Sequence, residues 1–131
     1  DGAGTYAPIH TVDPAPLPGW LADRLRPPPL PPQRPVTVHL APGRRGAYLH
    51  KAVTASVTAV ADAPQGRRNT TLYGAAVALG QLVAGGALDA DHTEHMLTDA
   101  AVRAGLTEME ARRTIRSGFR AGAQRPRSVP A

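Results

Sequence analysis

The sequence predicts an all-α protein: a small four-helix bundle over about residues 47–122, preceded by an extended proline-rich arm. Three observations predict it. Nine of the fourteen prolines crowd between Pro14 and Pro35, where a fixed φ and a missing N–H favour extended, polyproline-like chain over helix or sheet. From Ala47 onward apolar residues recur at spacings of three and four. Glycine breaks and cap residues then divide that stretch into four helices.

The arm comes first. Residues 1–13 hold one strand at most, at Thr5-Tyr6-Ala7 or Ile9-His10-Thr11-Val12, with no partner strand in view. A short helical turn is expected at Trp20-Leu21-Ala22-Asp23-Arg24-Leu25, presenting Trp20, Leu21 and Leu25 to a neighbouring domain. Arg26-Pro27-Pro28-Pro29-Leu30-Pro31-Pro32-Gln33-Arg34 fits a basic-flanked PxxP pattern. Low-complexity linkers meet such patterns by chance, and a stiff spacer is the simpler role. Val36-Thr37-Val38-His39-Leu40 alternates like a strand, but Pro42-Gly43 stops it, so it is read as an extended connector closing an arm of residues 1–46.

The bundle occupies residues 47–123. Leu49, Val53, Val57 and Val60 mark one face of its first helix, which Ala63-Pro64-Gln65-Gly66 ends. Asn69 is the expected N-cap of the second, because its side chain can accept from amides two or three residues on. Leu72, Ala76, Leu79 and Val83 line that helix, and Gly85-Gly86 closes it. Gly74 and Gly80 inside it each cost about 1 kcal/mol relative to Ala, so close packing against a neighbour is expected at both. Asp91-His92-Thr93-Glu94 reads as a capping box for the third helix, with Leu97, Ala100 and Ala101 inward and Gly105 just past its end. Thr107-Glu108-Met109-Glu110 is a second capping box and opens the fourth. Ala111, Ile115, Gly118, Phe119 and Gly122 share its apolar side, and residues 124–131 are expected to fray.

Composition narrows the function classes. Hydrophobic residues make up 42% but aromatics only 4%, so the core is thin in side-chain volume and helices must approach closely through Ala and Gly. Lys51 is the single lysine among fifteen basic residues, and the net charge is +5. That balance favours polyanionic partners such as nucleic acid. The chain has no cysteine, which excludes disulfides and thiolate metal sites. No stretch approaches the roughly 18 apolar residues of a membrane span. Asp1-Gly2-Ala3-Gly4 carries no signal-peptide pattern and no initiator Met, so a cytoplasmic piece of a longer protein is expected.

Two motifs carry the chemistry. Arg67 and Arg68, with Asn69, stand at the start of the second helix, where unpaired amides and the helix dipole favour anions. Their bland alternative is a solvated turn. On the fourth helix, at roughly 100° per residue, Arg113, Arg116 and Arg120 gather opposite the apolar side, with Ser117 beside them. Such a stripe suits backbone phosphate; its alternative is the ordinary polar face of an amphipathic helix. Helices three and four, joined through Gly105-Leu106-Thr107, also imitate a helix-turn-helix, but the fourth lacks the Asn and Gln side chains that read base edges.

Catalytic signals are missing. The ten acidic residues are scattered, with no strand-borne Asp-x-Asp. His92 and His95 stand three apart and are within reach of one metal, although a surface helix face explains them better. There is no phosphate-binding glycine loop and no Gly-x-Ser-x-Gly, so an independent enzyme is not expected.

Gly66-Arg67-Arg68-Asn69-Thr70-Thr71-Leu72 with its Ala63-Pro64-Gln65 lead, Ala78-Leu79-Gly80-Gln81-Leu82-Val83, and Ala111-Arg112-Arg113-Thr114-Ile115-Arg116-Ser117-Gly118 together resemble the helical segment of bifunctional DNA primase/polymerases. These are prim-pol proteins of the archaeo-eukaryotic primase type, common in actinobacteria, their phages and plasmids. Gly4-Thr5-Tyr6 and Ala15-Pro16-Leu17-Pro18-Gly19-Trp20-Leu21 look like the exit from that family's catalytic domain. The resemblance spans most of the chain and keeps the motif order. It implies a catalytic domain N-terminal to this segment, with divalent metal and nucleotides bound there, and often a helicase-type ATPase beyond. It implies that the helical segment contacts single-stranded DNA template or nucleotide. The family's functional positions carry over to Arg67, Asn69, Thr114, Ile115, Ser117 and Gly118, while its catalytic acidic motif has no counterpart here. No metal or cofactor is expected in this segment. The competing readings are a protein-interaction or scaffold module with the proline arm as ligand, and a helix-turn-helix-like DNA-binding regulator.

Overall fold

The computed structural model describes Asp13, residues 15–26 and residues 35–130. The chain separates into two units, Asp1–Pro31 and Pro32–Ala131. The strand considered at Thr5–Val12 and the PxxP prolines between Pro27 and Arg34 lie outside the described residues.

In the first unit a seven-residue helix, α1, spans Gly19–Leu25, where the short turn is expected. The carbonyl of Pro18 accepts from the amides of Leu21 and Ala22 at 2.9 and 3.0 Å. Trp20 and Leu25 are exposed on it.

The second unit is all-α apart from one two-stranded pair. Its helices are α2 (Arg45–Ala61), α3 (Arg68–Ala84), α4 (Ala90–Arg103) and α5 (Glu108–Ala123). The core forms where α3 meets α5, with α4 and α2 covering the remaining sides. Leu72, Ala76, Leu79 and Leu82 of α3, Leu97, Ala100 and Ala101 of α4, Ala111 and Ile115 of α5 and Val60 of α2 are buried together. Leu82, rather than Val83, completes the buried stripe of α3, while Val83 remains half-exposed.

Small residues let α3 and α5 come close, as the low aromatic content demands. A Cβ at Gly118 would stand 2.5 Å from Ala76 Cβ, and one at Gly122 would stand 2.6 Å from the Val77 carbonyl oxygen. Gly80 has its expected close neighbour, since a Cβ there would meet Phe119 Cα at 2.8 Å. Gly74 does not: nothing lies within 4 Å of its would-be Cβ, so close packing offsets the cost of glycine at only one of the two positions.

The caps are partly as expected. Thr107 and Glu110 form the full capping box of α5: Thr107 Oγ1 accepts from the Glu110 amide at 3.3 Å, and the Thr107 amide donates to Glu110 Oε2 at 3.1 Å. The box expected at Asp91–Glu94 is not formed. The helix starts earlier, at Asp89, whose carboxylate accepts from the His92 amide at 2.8 Å. Thr93 is instead buried, its hydroxyl donating to the Asp89 carbonyl at 2.6 Å. Asn69 is not an N-cap either. α3 begins at Arg68 without any side-chain cap, which leaves the Asn69 side chain free for a tertiary bond.

The C-terminal segment departs most from expectation. Residues 124–131 are expected to fray, yet Arg127–Ser128 (β2) pairs in parallel with Val36–Thr37 (β1). The amides of Val36 and Val38 donate to the carbonyls of Pro126 and Ser128, each at 2.9 Å. Val129 is buried in the core, and Arg45 Nε holds its carbonyl at 2.8 Å. Gly85 admits the strand, because a Cβ there would fall on the Arg127 carbonyl. The segment read as connector thus belongs to the bundle unit, with Val38 and Leu40 packed against its core.

Candidate functional site

The N-terminal halves of α3 and α5 run beside one another and leave a groove of about 530 Å³ between them. Asn69, Thr70 and Tyr73 form its α3 wall; Glu110, Arg113, Thr114 and Ser117 form its α5 wall. The positions follow from helix periodicity. Asn69 and Tyr73 are one turn apart on α3, while Glu110, Arg113, Thr114 and Ser117 recur at three and four on α5 and so share a face.

One hydrogen bond joins the walls. Thr114 Oγ1 donates to Asn69 Oδ1 at 2.6 Å. With its oxygen occupied, the Asn69 amide nitrogen keeps both protons available, and the hydroxyls of Thr70, Tyr73 and Ser117 add further donors along the rim. The absence of a side-chain cap on α3 leaves the first amides of that helix without a side-chain acceptor as well.

Two charges of opposite sign line the groove, Arg113 and Glu110. Neither belongs to an ion pair within 4.0 Å among the described residues. Hydrogen bonds from the Thr107 side chain, then from its backbone, hold the Glu110 carboxyl below its ordinary range. It is therefore an anion at neutral pH.

Of the residues singled out in the sequence, the structure gathers Asn69, Arg113, Thr114 and Ser117 into this groove; Ile115 and Gly118 are buried in the core side of α5. Arg67 is exposed at the N-cap of α3, outside the groove walls. Arg68 points elsewhere and is half-buried. Its Nη1 lies where a Cβ on Gly105 would come within 2.9 Å, so its guanidinium covers the α4–α5 turn. The positive φ of +97° at Gly105 shapes that turn. Arg68 Nε is buried with no hydrogen-bond partner, and this arginine packs rather than projects. Arg116 lines a separate depression of about 400 Å³ with Glu108, Met109 and Arg112, and Arg120 is exposed further along α5. Of the residues singled out, the two motifs therefore contribute unequally, one from the first and three from the second.

Thr70, Tyr73 and Glu110 were not marked as site residues by sequence reasoning. Tyr73 has a signal in retrospect, an aromatic residue one turn after Asn69 and off the buried stripe. Glu110 is legible only as a cap, because nothing in the local pattern shows what lies across from it.

On α4, His95 Nε2 stands 3.5 Å from Asp99 Oδ2, and Arg112 of α5 bridges Glu108 at 2.9 Å and Glu94 at 3.9 Å. No cluster of three or more His, Cys, Asp or Glu side chains is placed to hold a metal ion among the described residues. No helix among them is long and apolar enough to cross a membrane. Comparison with protein-family models, with curated proteins and with solved structures finds no match to the chain.

Proposed function

We propose that the chain is the helical accessory segment of a DNA primase/polymerase acting in replication or priming, and that its α3–α5 groove contacts the phosphates of single-stranded template or nucleotide. The observation that carries this reading is the meeting of the two resemblance-bearing motifs. They stand 45 residues apart in sequence, yet Thr114 and Asn69 are hydrogen-bonded, with Arg113 and Ser117 on the same wall. An arginine surrounded by amide and hydroxyl donors fits an oxyanion in a nucleic-acid backbone. The overall charge of +5 supports the same class of partner. Arg67, Arg116 and Arg120 are exposed outside the groove and in this reading extend the positive surface along a strand; Arg68 supports the fold of the turn instead. In this reading catalysis, with its divalent metal and nucleotides, belongs to a domain N-terminal to the segment. A helicase-type ATPase is the further partner.

Fluorescence anisotropy of a labelled single-stranded oligonucleotide, titrated with the chain across a salt series, tests the reading. Affinity is expected to fall with salt at a logarithmic slope of about 0.7 per phosphate neutralised. Arg113→Glu should weaken binding and lower that slope by about 0.7, one phosphate contact's worth. Absent binding at low salt, or affinity indifferent to salt, overturns the phosphate-contact function. A preferred duplex site would favour the helix-turn-helix alternative.

A further inference from the structure

A groove made only for phosphate has no use for a fixed carboxylate, because like charges repel wherever the anion sits. Glu110 nonetheless stands on the same wall as Arg113, with no ion pair between them among the described residues. Its geometry is also asymmetric. Oε2 accepts from both the Thr107 amide and the Thr107 hydroxyl, at 3.1 and 2.7 Å. Oε1 accepts no hydrogen bond among the described residues. The capping box thus locks one oxygen and leaves the other as a positioned acceptor.

A ligand satisfying both walls needs an anionic group for Arg113 and a neutral N–H donor for Glu110. A nucleotide unit offers this pair best when its base carries an exocyclic amino group, because the N3–H of thymine and uracil lies between two carbonyl oxygens that repel a carboxylate. Tyr73 is 43% exposed at the groove, and an aromatic face there gives an unstacked base a platform, as single-strand binders commonly use. We infer that the groove selects among bases, with Glu110 Oε1 accepting from the amino group of cytosine, adenine or guanine and disfavouring thymine and uracil. This inference rests on the nucleic-acid reading above and adds a specificity-determining residue to it.

The sharpest comparison is cytosine against uracil. The rings match in size and differ at C4, where cytosine presents an N–H donor and uracil a carbonyl that would face a carboxylate. The wild-type chain is titrated with labelled oligo-dC and oligo-dU of equal length at low salt and pH 7.5. Glu110→Gln is then titrated with the same pair. Glutamine is accepted at this capping-box position: its oxygen can keep both bonds from Thr107, and its NH₂ replaces Oε1, turning an acceptor into a donor. The wild type is expected to prefer oligo-dC by about fivefold, the worth of one partly exposed charge-assisted hydrogen bond. Glu110→Gln should abolish or reverse that ratio while keeping the helical circular-dichroism signal. Tyr73→Leu should weaken both oligonucleotides together. Equal wild-type affinity for the two, with binding still salt-dependent, overturns the base selection and leaves the phosphate-contact function standing. Absence of binding to either oligonucleotide overturns both. The wild-type comparison decides the matter even where a variant fails to fold.

Discussion

Thr114 Oγ1 donates to Asn69 Oδ1 at 2.6 Å, joining the second turn of α5 to the first turn of α3 across 45 residues of sequence. The bond lies at the surface, so its net worth is that of an ordinary exchange with water, about 0.5–1 kcal/mol. Thr114→Val keeps the shape and removes the donor; it should cost about that much in urea denaturation. Asn69→Ala should cost about the same. The double variant should lose less than the sum of the two, because each single change already breaks the one bond.

Gly118 and Gly74 make a paired test of helix packing. A Cβ at Gly118 would stand 2.5 Å from Ala76 Cβ and 3.1 Å from the Tyr73 carbonyl oxygen. Gly118→Ala should therefore push α5 off α3 and destabilise by roughly 1–3 kcal/mol. Open space surrounds Gly74, so Gly74→Ala should stabilise by about 0.5–1 kcal/mol through helix propensity alone. Thermal melts followed by circular dichroism would show shifts of opposite sign. A loss at both positions would contradict the open space at Gly74.

The C-terminal strand is expected to contribute to stability. Val129 is 4% exposed and packs in the core. Val129→Ala removes two buried methyl-sized groups, worth about 1.5 kcal/mol at about 0.8 each. Hydrogen exchange should also show the Val36 and Val38 amides protected in the intact chain. Truncation before Pro126, whose carbonyl and that of Ser128 accept from them, should remove that protection. Unchanged exchange after truncation would argue against the β1–β2 pairing.

Acid should loosen the start of α5. Thr107 holds the Glu110 carboxyl below its ordinary value of 4.5. A lowered folded-state value means that the charged cap stabilises the fold fully above pH 4.5 and that this contribution fades as pH drops through the folded value. The difference in melting temperature between the wild type and Glu110→Ala should hence be constant near neutrality and shrink in the acid range below that point. A gap that widens on acidification would contradict the capping role.

Local pattern carried much of the architecture. The spacing of Leu49, Val53 and Val57, the Thr107–Glu110 box and the glycines at 86 and 105 made four helices legible, because each depends on neighbours within a turn or two. The α5 stripe of Ala111, Ile115, Gly118 and Gly122 was legible for the same reason, and all four are buried. The start of α4 was not legible in the same way. Asp89 caps α4 rather than the Asp91 box, and Thr93, which that box would place in a solvated cap, is buried in the packed bundle, a tertiary effect.

The sequence by itself determined the helices, their apolar faces and a basic surface, all of which follow from periodicity and short-range hydrogen bonding. Only the tertiary structure decided which polar residues meet. It turned Asn69 from a cap into a partner of Thr114, drew Arg68 onto the Gly105 turn, set Glu110 and Arg113 across from Thr70 and Tyr73 and drew the C-terminal strand under Arg45. The groove depends on how closely α3 and α5 approach, and that distance is set by Gly118, Gly122 and Ala76 packing across the interface. Contacts between residues tens of positions apart leave no periodic trace in a single chain, so the groove became visible only once the helices were packed.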